Sequence, residues 1–167
     1  MIKSTVITMA ATALLALSGS VDATITTNTI VTTGPGAPDC SGAAASSGVI
    51  WPPDHTMVSE TIVGVTDPNN LALVIVVTGI MQDESVAAIG SGHTSPDGTG
   101  IGTTTAQIRA ERAGPGTGRL YFIAFSATNT MGLQCTGSVM AFVPHDQGQG
   151  FIPIDTGERF DSTLTSF

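Results

Sequence analysis

The sequence predicts an all-β sandwich. Three observations lead there. Thr, Gly, Ser and β-branched residues dominate a 167-residue chain in which only 11% of residues are charged, a composition of strand and turn formers. Five strand-like segments recur between breaks rich in Gly, Pro and Asn, at the spacing of all-β folds. No helical pattern longer than the N-terminal leader is present.

Taken in order, residues 1–23 read as a secretory signal. Lys3 supplies the positive start, residues 6–17 form an apolar core, and Val21-Asp22-Ala23 places small or aliphatic residues where a signal peptidase reads. That core is short against the ~20 residues of a spanning helix, so no membrane span is expected after cleavage. An uncleaved N-terminal anchor is the alternative. Residues 24–48 form a lead-in: a Thr/Ile/Val-alternating stretch over 24–33, then a Gly/Ala/Ser/Pro-rich run. Strands are predicted over 57–65, 71–81, 103–111, 119–127 and 133–143. Up to two weaker ones lie within 82–102, a polar stretch too long for a hairpin turn. The second strand is apolar on both alternating faces, as expected of a strand covered on both sides or one whose outer face serves assembly. Residues 150–167 are a tail that either adds an edge strand or stays loose.

The charge balance narrows the partners. Thirteen acids stand against five Lys and Arg, a net charge of −8. Beyond the leader the only cations are Arg109, Arg112, Arg119 and Arg159. A chain this acidic does not attract nucleic acid or anionic lipid. Two cysteines remain, Cys40 and Cys135. Export makes a disulfide the natural reading, and the chain-entropy model values so long a loop closure at about 4–5 kcal/mol. Two separate buried thiols are the other reading.

Several motifs bracket the strand-rich region. Trp51-Pro52-Pro53-Asp54-His55 opens it, and Val143-Pro144-His145-Asp146-Gln147-Gly148 closes it. Between them lie Ile108-Arg109-Ala110-Glu111-Arg112-Ala113-Gly114 and Gly118-Arg119-Leu120-Tyr121. In this order the motifs resemble a secreted bacterial immunoglobulin-like module of the hyalin-repeat-like and cadherin-like kind. The resemblance covers residues 50–149. It implies an immunoglobulin-like β-sandwich of about seven strands over 49–149. The chain departs from that pattern at Thr128-Asn129-Thr130-Met131-Gly132-Leu133, which lacks the Asp of the family's acidic turn, and in the thinned acidic stretch after residue 82.

Candidate sites follow from residue type. Asp83, Glu84 and Asp97 around the long loop, with Asp67 at a strand end, are chemically suited to calcium, which takes six to eight oxygen ligands. A solvated acidic loop is the plainer reading. His55, His93 and His145 lack the spacing of a zinc site. Trp51, His55, His145 and Asp146 are expected to form a structural clasp, the imidazoles bonding backbone or carboxylates of a neighbouring segment while prolines mark where strands enter and leave the sheet. A His–Asp pair with a Ser nucleophile is the sharper alternative, but no Gly-x-Ser-x-Gly presents that Ser. Arg109 and Glu111 are expected on one exposed face, pairing with Arg119 for roughly 0–1 kcal/mol. Trp51 and Tyr121 are expected in the sandwich core or its mouth.

The function expected from these readings is a secreted, non-enzymatic structural or adhesive module at the cell surface or in extracellular matrix. Its partners would be a surface protein or polysaccharide, or further copies of the chain in an oligomer or fibre built by strand addition from the N-terminal segment. A calcium-dependent binding module and a small secreted hydrolase are the alternatives.

Overall fold

The computed structural model describes residues 31–32, 34–147 and 153–165; the expected signal, most of the alternating stretch and part of the tail lie outside them. The fold is all-β. Among the described residues there are nine strands: β1 (Val31–Thr32), β2 (Ala44–Ala45), β3 (Met57–Val63), β4 (Leu73–Gln82), β5 (Gly98–Thr99), β6 (Thr105–Arg109), β7 (Gly118–Asn129), β8 (Gln134–Pro144) and β9 (Phe160–Asp161). The five long ones coincide with the five predicted segments. The stretch after residue 82 contributes one two-residue strand, β5.

Two antiparallel sheets form, ordered β1-β8-β7-β4-β9 and β2-β3-β6-β5. Without β1 and β9 this is the four-on-three strand order of the immunoglobulin-like sandwich. The run at Val49 adds a parallel bridge to Phe142. In the described part of the tail β9 pairs with β4, and Ser162 then binds both sheets, its N–H donating to Ile80 and its carbonyl accepting from Asp97 and Gly98. The described part of the lead-in joins the sandwich through β1, β2 and Cys40.

Alternation along β7 explains the core. Tyr121, Ile123, Phe125 and Ala127 point inward and are buried, opposite Val77 and Ile80 of β4 and Ile62, Ala106 and Ile108 of the other sheet. β4 keeps its inward phase only through a bulge between Val77 and Gly79, where one extra residue shifts the side-chain period.

Cys40 and Cys135 form a disulfide with a Cα–Cα distance of 6.1 Å. Both are fully buried in the core cluster, so the bond joins the lead-in to β8 at the sandwich end where β8 begins. Nearby, Gly64 has φ +80°, and a Cβ there would run into the carbonyl of Gly42. Gly64→Ala is expected to lower stability by about 1–3 kcal/mol, read as a drop in the urea midpoint.

Candidate functional site: the charged pole

The opposite end of the sandwich is where β3 begins, β4 and β6 end, β7 begins and β8 ends. Most of the residues singled out by chemistry gather there.

At its centre is Arg119, fully buried. Arg119 Nε donates to Glu84 Oε2 at 3.0 Å and Nη1 to Asp97 Oδ2 at 2.8 Å. Nη2 lies 3.7 Å from Glu111 Oε1, and the guanidinium sits 5.9 Å from the centre of the Tyr121 ring. Tyr121 donates its hydroxyl hydrogen to the Arg109 carbonyl at 2.9 Å, tying the start of β7 to the end of β6 as tyrosine corners do in such sandwiches. Arg109 adds a second cation: Nε is 3.4 Å from Asp97 Oδ1, while its terminal nitrogens donate to the carbonyls of His55 and Pro96. Three carboxylates and two guanidiniums thus share one low-dielectric volume.

The acids also hold backbone. Glu84 Oε2 accepts from the Ala113 N–H at 2.7 Å, and Asp83 Oδ1 accepts from the Leu120 N–H at 2.8 Å. Gln82, buried, donates to Asp97 Oδ2 and to the Glu84 carbonyl. Burial, and behind it the charges of Glu84 and Asp155, push the Asp83 carboxyl up to about 6, against the bond from Leu120. Burial also raises Asp97, opposed by the Gln82 bond and the Arg119 charge.

The pH consequence of Asp83 follows directly. A carboxyl whose folded pKa lies above its unfolded value of 3.8 contributes stability that is fully present below about 4 and lost as pH rises through about 6. Asp83→Asn keeps an acceptor for Leu120 and removes the charge. It is expected to stabilise the protein by about 1–2 kcal/mol at pH 7.5. The gain should vanish near pH 4, as measured by urea melts across that range.

The two bracketing motifs meet the segment 109–114 rather than each other. His55, in a positive-φ conformation, donates Nδ1–H to Glu111 Oε2 at 2.9 Å, since a carboxylate only accepts. The Thr94 hydroxyl donates to the same oxygen. The His55 N–H donates to the Ala110 carbonyl. On the other side His145 Nε2 donates to the Gly114 carbonyl at 3.2 Å, and Arg112 Nε donates to the His145 carbonyl at 3.0 Å. His145 Nδ1 lies 3.5 Å from Asp146. Both imidazoles therefore bond backbone or carboxylate of a neighbouring segment.

Two expectations change here, and one is narrowed. Arg109, Glu111 and Arg119 are not an exposed surface group: Glu111 and Arg119 are fully buried, because the chain crosses the open end of the sandwich directly after β6. Trp51, expected in the core or its mouth, is 38% exposed and so lies outside the core; its neighbour Ile50, in opposite phase, is the one that packs inward. The four acids considered for calcium do not come together. Asp67 precedes β4 and Asp83 and Glu84 follow it, so a strand of roughly 30 Å separates them. Asp67 is engaged at its own end, where the Asn129 side-chain bond and the turn N–H groups of Asn69 and Leu71 hold its pKa low against burial. Glu84 and Asp97 already have a cation in Arg119. Among the described residues no group of three or more His, Cys, Asp or Glu side chains is arranged to hold a metal ion, and no helix is long and apolar enough to cross a membrane.

Sequence reasoning missed Gln82 and Glu60. Both are buried polar residues on inward positions. Glu60 accepts from the Ser46 hydroxyl and the Ser47 N–H at 2.8 and 2.9 Å, which fastens the lead-in to β3. Alternation with Val58 and Ile62 places Glu60 inward in the sequence itself. Gln82 is hidden by the β4 bulge.

No family model, no curated protein and no solved structure matches this chain.

Proposed function

We propose that this chain is a secreted, non-enzymatic structural or adhesive module, an immunoglobulin-like scaffold working at the cell surface or in extracellular matrix. One observation carries the reading. The residues that chemistry would single out at the charged pole are committed to joining loops: Arg119 is wrapped by Glu84, Asp97 and Glu111, and both bracketing histidines hold the segment 109–114. A locked loop end at one pole and a buried disulfide at the other are features of a rigid support. The disulfide fits an oxidising compartment, the leader gives the route there, and the motif resemblance to secreted bacterial modules supports the same location. Partners would be a surface protein or polysaccharide, or other copies of the chain.

The test is expression of the full chain in its own cells, followed by fractionation and intact-mass measurement. The reading expects material outside the cytoplasmic membrane, beginning at Thr24, two mass units lighter than the reduced form, and retained by cell-surface or matrix material. Cytoplasmic, unprocessed, reduced protein would sink it.

A further inference from the structure

We infer that Thr94 and Glu111 join covalently, the Thr94 hydroxyl and the Glu111 carboxyl condensing to a side-chain ester with loss of water. The inference rests on the reading of the charged pole as the lock of a scaffold, and it makes that lock covalent. It starts from one carboxyl oxygen. Glu111 Oε2 accepts two hydrogen bonds, one from the Thr94 hydroxyl and one from His55 Nδ1 at 2.9 Å. Those are the two protons an oxygen needs to leave as water. The first donor is also the nucleophile, and Oε2 alone stands between Thr94 Oγ1 and the carboxyl carbon.

The step balances. Thr94 Oγ1 attacks Glu111 Cδ and forms the new C–O bond. Its proton passes to Oε2, and the imidazolium form of His55 gives Oε2 a second proton from Nδ1. The Cδ–Oε2 bond breaks with its electron pair, water departs, and His55 is left neutral. The His55 ring is half-exposed, so it regains its proton from solvent. Negative charge building on Oε1 in the tetrahedral intermediate faces Arg119 Nη2, 3.7 Å away. Neither Oε1 nor Nη2 has a hydrogen-bond partner among the described residues, so both are free for this role. The other titratable groups facing Glu111 are Asp97 and Tyr121; only His55 gives a proton to Oε2.

Burial drives the condensation forward. Glu111 is fully buried, and a carboxylate held there costs free energy that a neutral ester does not. Arg119 keeps its two hydrogen-bonded counter-charges, Glu84 and Asp97. Free acids and alcohols stay apart in water because water is in excess, whereas a fixed intramolecular pair acts at an effective molarity of about 10⁵–10⁸ M. Other hydroxyl–carboxylate contacts lack the second proton. At Thr56–Asp54, Thr163–Asp161 and Ser46–Glu60 the second donor on the same oxygen is a backbone N–H, of Thr56, Thr163 and Ser47 in turn, and an amide does not surrender its proton.

Mass spectrometry of the folded protein, reduced and alkylated only after folding, tests this. The expected mass is one water below that of the sequence. Beyond the leader the chain has no lysine, so trypsin cuts at arginines and releases Ala110–Arg112 as a tripeptide. In the ester that tripeptide stays attached to the peptide ending at Arg109, which carries Thr94, and hydroxylamine, which cleaves esters, frees it. Thr94→Val should restore the full mass, Thr94→Ser should keep the shortfall, and His55→Ala should slow its appearance. Wild-type protein at full mass overturns the inference if Ala110–Arg112 is released free both as purified and after long incubation at about pH 5, where an imidazole is charged. A shortfall that survives Thr94→Val overturns it too. Full-mass protein still retained at the cell surface removes the ester and leaves the scaffold reading standing.

Discussion

Arg119→Met is expected to destabilise the protein by about 3–5 kcal/mol, the largest effect of any single side-chain replacement at the charged pole. The size comes from what is left behind. Removing the guanidinium strands Glu84, Asp97 and Glu111 at the end of the core, and a buried ion pair broken from one side leaves uncompensated charge. The ion pairs themselves add little net stability, because desolvation offsets most of their attraction. Neutralising the acids together with the arginine should therefore recover part of the loss. The triple variant Arg119→Met/Asp97→Asn/Glu111→Gln is expected to be more stable than Arg119→Met alone, although it contains more changes. Urea melts give both values, provided the m-value stays constant. If Arg119→Met costs less than about 1 kcal/mol, the pole is hydrated and open, and the network is a surface feature after all.

The second large effect lies at the other pole. Replacing Cys40 and Cys135 together by Ala is expected to lower stability by about 4–5 kcal/mol. The bond spans a sequence separation of 95 residues, and the loop-closure term for that length has this magnitude. Ala is the better replacement because both sites are fully buried, where a Ser hydroxyl would need a partner. The check is a denaturant midpoint with and without reductant. Wild-type protein should lose stability on reduction, and the double variant should not respond.

Much of the fold is legible in the sequence, for a definite reason. Each long strand has its own apolar pattern and its own turn, alternating in β3, β6, β7 and β8 and continuous in β4, so all five can be read locally. The short strands cannot. β1, β2, β5 and β9 are two residues each, and their pairing depends on tertiary contacts such as Ser162 lying between β4 and β5. The charged pole is legible in part. Arg119 continues the inward phase of Tyr121, Ile123, Phe125 and Ala127, so alternation extended by one pair already points it inward. Reading it as a surface cation followed the general habit of arginine, not the local pattern. Asp97 gives no such signal, since it lies outside any alternating strand, and Glu111 gives the wrong one, since the strand expected over 103–111 ends at Arg109; both are buried because loops from four strand ends converge. The side-chain bonds of His55 and His145 are set by tertiary packing. Their common target, the segment 109–114, emerges only when the sheet topology brings the ends of β3, β6 and β8 to one place.

The central claim is that the charged pole is a lock belonging to the core and not a yielding, ligand-gripping set of loops. Native-state hydrogen exchange tests it most directly, at amides whose bonds cross between loops: His55 to the Ala110 carbonyl, Arg109 to the Asp97 carbonyl, Ala113 to Glu84 and Leu120 to Asp83. These amides are expected to exchange only through global unfolding, with the same opening free energy and denaturant dependence as Ile123 and Phe125 in the core of β7. Exchange through local openings several kcal/mol cheaper than global unfolding, confined to these loops, would contradict it.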